Sequence, residues 1–122
     1  MDDFTRIRHI IAASEKAFEI THGLKRSDIE QDNVLGLALI RLLEIIGEAA
    51  AGLSEQTRNN HPEIAWRQMS GMRNRLIHGY FDIDLDTVWE TVTTQLPPLI
   101  PKLQKLLDKE TKKHHSALWT GL

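Results

Sequence analysis

A short segment with the sequence RNRLIHGY, residues 73–80, concentrates side chains that are suited to phosphate chemistry. Arg73 and Arg75 keep their charge at physiological pH, and a guanidinium can hold two phosphate oxygens through a forked pair of hydrogen bonds. A histidine side chain ordinarily titrates near neutral pH, so His78 is suited to give or take a proton. Tyr80 is the only tyrosine in the chain. The segment therefore predicts a site that binds phosphate and moves a proton.

The positive charge around this segment is focused in one window of the chain. Residues 64–81 contain no acid, whereas Arg67, Arg73 and Arg75 all lie within them. The whole chain of 122 residues has a formal net charge of -2 and a pI of about 6.3. These values argue against a general nucleic-acid coat protein, which binds through a broad basic face. They are compatible with a local phosphate site.

Cleavage of an RNA phosphodiester bond is a reaction that suits these groups and needs no metal. The ribose 2′-hydroxyl would attack the adjacent phosphate, His78 would move a proton, and Arg73 would stabilise the developing negative charge. Helical spacing makes Asn74 and Arg75 neighbours of His78, so we expect them to contact the substrate. The reaction removes one proton and delivers another, and His78 is the one good acid or base in the segment. We therefore expect a homodimer with one composite cleft.

The same pattern also has a purely structural interpretation. Arg-x4-His is short enough to occur by chance, and the pattern alone favours a solvated helix end with a structural histidine over catalysis. Tyr80 would then be a rim aromatic that packs on the helix end. The sequence has no CxxC or HExxH pattern, and the adjacent pair His114-His115 points in two directions on a helix. We therefore expect no metal and no other cofactor.

Hydrophobic periodicity predicts an all-α fold, an up-and-down bundle of four to five helices. A first helix is predicted over residues 3–21. A long central helix is predicted over about 28–52, with a capping box at Ser27–Glu30. Its apolar residues cover nearly every side, so it should be the most buried helix. Gly36 and Gly47 are expected to let neighbouring helices approach it closely.

The second half of the chain is also expected to be helical. A short helix should follow a cap at Ser54 and end at residue 60, and the next helix is predicted over about 63–78. Prolines within 97–101 should mark a bend before the last helix, which is expected to end near residue 113. We predict one domain over residues 1–113 and a flexible tail over 114–122.

A polar stripe runs along the predicted central helix. Arg41, Glu44 and Glu48 are spaced at i, i+3 and i+7, which places them on one face. An ion-paired, partly exposed stripe is the simpler interpretation. In the alternative interpretation, Glu44 or Glu48 pairs with Arg73 or Arg75 and orients it.

Composition is that of an ordinary globular protein. Hydrophobic residues make up 41% of the chain and charged residues 26%, and there is no cysteine. No apolar run approaches membrane-spanning length, and the acidic start MDDFTRIRHI is unlike a signal peptide. We expect a cytoplasmic protein without disulfides or membrane contact.

The block PEIAWRQMSGMRNRLIHGYFDIDLDTVWETV, residues 62–92, resembles the signature block of the HepT-type toxins. These toxins belong to the HEPN group of helical nucleases. The upstream stretch LIRLLEIIGEAA, residues 39–50, is also similar, and the resemblance covers nearly the whole chain. The family's Arg-x4-His-x-Tyr motif falls on Arg73, His78 and Tyr80.

This resemblance implies an HEPN-like fold and a metal-independent endoribonuclease that is the toxin of a toxin–antitoxin system, of type II or type VII. It implies a dimer with the active site between protomers, in which Arg73 and His78 are the catalytic pair. It also implies an antitoxin of the minimal nucleotidyltransferase type, which silences the toxin by transferring AMP from ATP to Tyr80. The alternative function is a non-catalytic helical module that docks such a nucleotidyltransferase.

Overall fold

The computed structural model describes residues 1–72, 76 and 83–120, with side chains described as far as Glu110. The helices are α1 (Asp3–Thr21), α2 (Arg26–Gln31), α3 (Asn33–Ala51), α4 (Glu55–Asn60), α5 (Trp66–Ser70), α6 (Leu85–Glu90) and α7 (Leu96–Thr120). A π-helical turn, Thr91–Gln95, joins α6 to α7. This part of the chain contains no strand, so the predicted all-α fold is confirmed. None of its helices is long and apolar enough to cross a membrane.

Helix α1 has the predicted bounds. The Asp2 carboxylate caps it by accepting the Thr5 N–H at 2.7 Å. Beyond its last residue the chain turns at Gly23, whose φ of 81° lies in the left-handed region that favours glycine. Along its length α1 packs against α3 and α7, and it buries Ile7 and Ile10 almost completely.

The predicted single helix over 28–52 was wrong, because the chain breaks at Asp32. Asp32 leaves the helical conformation, with φ −116° and ψ 98°, and its carboxylate accepts the N–H groups of Val34 and Leu35 at 3.0 and 3.2 Å. The capping box predicted at Ser27–Glu30 was also wrong. Helix α2 instead starts after Lys25, whose N–H donates to Asp28 Oδ2 at 2.7 Å.

Helix α3 forms the centre of the core. Its inner face includes Leu39, Leu43 and Ile46, which are fully buried. Its other face is open, since the side chains of Val34 and Leu37 are 76% and 59% exposed. The expectation of a helix buried on nearly every side therefore holds only for part of α3.

The helix predicted over 63–78 begins later than expected. Ser54 caps α4 as predicted, by accepting the Thr57 N–H at 3.2 Å. The chain then forms turns up to Ala65, and α5 starts at Trp66. The Trp66 indole Nε1–H donates to the His61 carbonyl at 2.9 Å, which joins the start of α5 to this connection.

The prolines near residue 100 do not interrupt the last helix. Pro97, Pro98 and Pro101 all lie within α7, directly after the π-helical turn. A π turn alters the backbone hydrogen-bond pattern just before the residues that lack an N–H, so the helix can continue through them. It runs on to Thr120, past the predicted end near residue 113. The predicted tail, 114–122, is thus helical as far as Thr120, and its flexibility stays a prediction.

Candidate functional site

The site residues predicted from the sequence all lie outside the part of the chain that the structure describes. They are Arg73, Asn74, Arg75, His78 and Tyr80. Their described neighbours Met72 and Leu76 are buried, with 3% and 1% of their surface exposed. The Leu76 carbonyl accepts the Asp84 N–H at 2.8 Å. The scaffold before, within and after the predicted site is therefore anchored in the core.

The chain enters the predicted site against the C-terminal half of α3. A Cβ atom built on Gly47 would lie 3.1 Å from the Met69 carbonyl oxygen and 3.7 Å from that of Ser70. The backbones of α3 and α5 thus approach as closely as a glycine allows. This confirms the expected role of Gly47 and makes α3 the support on which α5 rests.

The chain leaves the predicted site against the N-terminal half of α3. A Cβ atom on Gly36 would lie 3.6 Å from Leu85 Cδ2, at the start of α6. Gly36 and Gly47 are eleven residues apart, which is roughly 16 Å along a helix. The connection from Met69 to Leu85 therefore starts and finishes at two fixed points on α3.

The polar stripe of α3 lies along the same helix, partly between these two fixed points. Arg41 Nη1 is 3.4 Å from Glu44 Oε2 and 3.6 Å from Glu48 Oε1. The Glu44 side chain is 22% exposed, whereas those of Arg41 and Glu48 are 61% and 69% exposed. The ion-paired interpretation of this stripe is confirmed. The alternative interpretation pairs Glu44 or Glu48 with Arg73 or Arg75, and these two arginines lie outside the described residues.

His61, in the connection between α4 and α5, ties this connection to α7. The His61 side chain is 9% exposed and lies between two carboxylates. Its Nδ1 is 3.5 Å from Glu63 Oε1 and its Nε2 is 3.4 Å from Glu110 Oε1. No local sequence signal pointed to this contact, because Glu110 is 49 residues away in the chain.

A second feature that sequence reasoning missed is an open groove between α4 and α5, with a volume of about 620 Å³. Two arginines, Arg58 and Arg67, line it. The acid-free window had drawn attention to Arg67, but Arg58 lies outside that window. Elsewhere, the described residues include no group of three or more His, Cys, Asp or Glu side chains that could hold a metal ion.

A family model described as "Ribonuclease HepT-like" matches residues 10–106 of this chain. The match includes α3, α5 and the whole predicted site. The chain belongs to the HepT-like ribonuclease family. The resemblance in residues 39–50 and 62–92 is thereby confirmed as membership, and the all-α fold is consistent with the HEPN-like fold expected for it.

Relatives in this family come from bacteria and archaea. A protein of Caldanaerobacter subterraneus subsp. tengcongensis, named as a putative RNase, is 36% identical over 104 residues, or 85% of this chain and 93% of that protein. A protein of Thermococcus cleftensis, named as a probable ribonuclease HepT, is 40% identical over 100 residues, or 82% and 91%. A putative RNase of Methanocaldococcus jannaschii is 31% identical over 108 residues, or 88% and 89%. No solved structure matches this chain.

Family membership fits the distribution of charge over the described scaffold. The carboxylates of Glu44 and Glu48 are paired with Arg41, and Glu63 lies beside His61. The window from residue 64 to 81 itself carries no acid. A site on this window would therefore present cations to a polyanion, which is what a HepT-like ribonuclease requires.

Proposed function

We propose that this protein is the endoribonuclease toxin of a toxin–antitoxin system. The observation that carries the proposal is the family match over residues 10–106, together with an intact Arg-x4-His-x-Tyr motif inside it. Arg73 and His78 are the catalytic residues, and Asn74 and Arg75 bind the substrate strand.

The proposed reaction is a transfer within the RNA strand. The 2′-oxygen attacks the adjacent phosphorus while its proton passes to a base, and the bond from phosphorus to the 5′-oxygen breaks. The departing 5′-oxygen takes a proton from an acid, and the products are a 2′,3′-cyclic phosphate and a 5′-hydroxyl. His78 serves as the acid or base, and Arg73 neutralises the charge that builds on the phosphate. No step uses a metal ion.

The balance of protons supports a homodimer. One copy offers one good proton-transfer group, whereas the reaction needs a base and an acid, so a second copy would supply the other histidine. Val34 and Leu37 support a contact through α3, because large apolar side chains exposed side by side mark interaction surfaces. They lie at the end of α3 where the chain leaves the predicted site, beside Gly36.

Variants of the catalytic pair test the enzyme proposal. Purified His78→Ala and Arg73→Ala proteins should lose RNA cleavage, and cells that express them should grow normally. Wild-type cleavage should persist in EDTA. Because Met72 and Leu76 supply the buried contacts on either side, both variants should keep wild-type helicity. A folded His78→Ala protein that remains fully toxic would support the alternative, a module whose role is to dock its partner.

Tyr80 is the proposed control point of the toxin. A minimal nucleotidyltransferase antitoxin would join the AMP of ATP to the phenol oxygen and release pyrophosphate. The added phosphate and base would occupy the cleft and repel the RNA backbone. Since both the ATP and the RNA would come from the cytoplasm, we place the pair there.

Intact-mass measurement tests this control. Incubation with the cognate antitoxin, ATP and magnesium should add one or more AMP groups to the wild type and stop cleavage. Tyr80→Phe keeps the ring and removes the acceptor oxygen, so this variant should cleave RNA, gain no mass and resist neutralisation. Equal modification of wild type and Tyr80→Phe, or neutralisation of the wild type without a change of mass, would show that Tyr80 is not the AMP acceptor that controls the toxin.

A further inference from the structure

The groove between α4 and α5 lies next to the predicted catalytic segment. Helix α4 contributes Arg58 and Asn59 to its lining, and α5 contributes Arg67 and Ser70. Ser70 precedes Arg73 by three residues, which corresponds to at most about 11 Å of chain. One nucleic-acid strand is therefore long enough to contact the groove and the catalytic segment together.

The two arginines of this groove have no described counter-charge. No described carboxylate forms an ion pair with either of them. Glu55 also lines the groove but is not within ion-pair distance of them. The Nε atom of Arg58 is buried and finds no hydrogen-bond partner in the described part of the chain. Three other buried polar atoms of the described chain also lack a partner, so this donor by itself does not mark a ligand site. The inference rests on the two guanidiniums that line one groove without a counter-charge.

The helix dipole explains part of this arrangement. Arg58 lies in the last turn of α4, where a cation is stabilised, whereas Arg67 is the second residue of the five-residue α5. A dipole acts on each helix separately, however, and does not require both guanidiniums to line one groove. A phosphate does favour that arrangement, because it offers several oxygens to the planar donor sets of two arginines.

We propose that the α4–α5 groove is an RNA-backbone subsite in which Arg58 and Arg67 bind a phosphate adjacent to the scissile one. The inference rests on the proposed ribonuclease function and extends it, since it gives the path of the substrate strand across α4 and α5 before Arg73. Contacts to phosphate carry no base information, so the subsite contributes affinity without sequence preference.

The test is the binding of a fluorescently labelled, single-stranded 2′-O-methyl RNA, which lacks the attacking hydroxyl and stays intact. Affinity is measured by anisotropy over a series of salt concentrations. Arg58→Gln and Arg67→Gln should each weaken binding roughly five- to tenfold. Each should also lower the slope of log K against log salt by about 0.7. Arg8→Gln is the matched control, because Arg8 is exposed on the α1–α7 side, in a different pocket.

The outcomes separate this inference from the proposed function. Unchanged affinity and salt slope in both groove variants would overturn the subsite, even if wild-type protein cleaves RNA. So would a wild type that does not bind the oligonucleotide. Normal RNA binding combined with lost neutralisation by the antitoxin would also overturn it, because the groove would then bind a protein. Arginine-dependent binding by a wild type that never cleaves unmodified RNA would support the subsite and refute the ribonuclease.

Discussion

The junction of α1 with α4 and the open face of α3 differ in how many of their side-chain contacts are made within the chain. At the junction, the Asp3 carboxylate accepts hydrogen bonds from Ser54 Oγ at 2.6 Å, from Thr57 Oγ1 at 2.5 Å and from the Ser54 N–H at 3.1 Å. On α3, Val34 and Leu37 present apolar surface that no described residue covers. The junction thus satisfies its polar groups within the chain, whereas the α3 face leaves apolar surface uncovered by the described residues.

This difference separates groups that hold the fold from groups available for function. A network closed within the chain is typical of a structural role, because its removal breaks several hydrogen bonds at once. Exposed apolar side chains lower solubility unless a partner covers them. Substitutions at the junction should therefore affect stability, and substitutions on the α3 face should affect assembly and activity.

The largest expected effect is from Leu37→Asp on the α3 face. A charge placed in an apolar interface between copies should weaken the dimer on the order of hundredfold or more. RNA cleavage should fall with it, since in the proposed mechanism each copy supplies half of the acid–base pair. The stability of the single-copy fold should change little, because Leu37 is 59% exposed. Sedimentation and cleavage rates measured over a range of protein concentrations check this prediction.

Ala12→Asp is the control for that substitution. Ala12 is exposed on α1 and lines the pocket between α1 and α7, so the same added charge should leave assembly and cleavage unchanged. If the Leu37→Asp protein stays dimeric and fully active, the α3 face is not the interface between copies.

The next largest effect is expected at the contact that supports α5. Gly47→Val would push side-chain atoms into the Met69 carbonyl, which already lies 3.1 Å from an ideal Cβ position. Overpacking of this kind should lower the free energy of unfolding by about 1 to 3 kcal/mol. It should also reduce cleavage beyond the loss of folded protein, because α5 ends at Ser70, three residues before the proposed catalytic Arg73.

Gly36→Ala is the matched substitution on the same helix. Its Cβ would make only ordinary contacts, at 3.6 Å from Leu85 Cδ2 and 3.7 Å from the Ile29 carbonyl. The gain in helix propensity should then raise the free energy of unfolding by about 0.5 to 1 kcal/mol. Chemical denaturation of the two variants gives the comparison, and equal effects would refute the close contact at Gly47.

At the junction, Asp3→Ala should cost about 1 to 2 kcal/mol of unfolding free energy, because Ser54 and Thr57 lose their shared acceptor. Cleavage per folded molecule should not change. Urea denaturation measures the loss of unfolding free energy, and a single-turnover experiment measures the cleavage rate per folded molecule. A catalytic defect in folded Asp3→Ala protein would contradict the division between the two regions.

The pH dependence of stability provides the smallest of these effects. Burial alone would raise the pKa of Asp3, but the hydrogen bonds from Ser54 and Thr57 outweigh it and hold this pKa below the ordinary value of 3.8. A depressed pKa in the folded state stabilises the protein above pH 3.8, and this contribution disappears as pH falls through the folded value. Asp3→Asn should therefore show a flatter stability profile than the wild type below about pH 4.

The sequence alone predicted helices and their caps correctly where capping signals and hydrophobic periodicity agree. Helix α1 and the cap at Ser54 follow from local residue types, and so does the ion-paired stripe on α3. The break at Asp32 was missed because the capping-box pattern at Ser27–Glu30 placed the start of the long helix upstream of it. The prolines of α7 were misread because the π turn before them has no sequence signature of its own.

The described surroundings of the site depend on contacts between distant parts of the chain. Periodicity does not reveal that His61 meets Glu110, or that Arg58 and Arg67 line one groove. These contacts arise from how α4, α5 and α7 pack together. The motif at residues 73–80, by contrast, was visible in the sequence because its chemistry is concentrated in eight consecutive residues.

The most direct test of the ribonuclease proposal is the identity of the RNA ends after cleavage by purified wild-type protein in EDTA. Attack by the 2′-hydroxyl predicts fragments with a 2′,3′-cyclic phosphate on one side and a 5′-hydroxyl on the other, and no fragments from the His78→Ala protein. Fragments with 5′-phosphate and 3′-hydroxyl ends, formed only when a divalent ion is present, would contradict the proposed chemistry at Arg73 and His78.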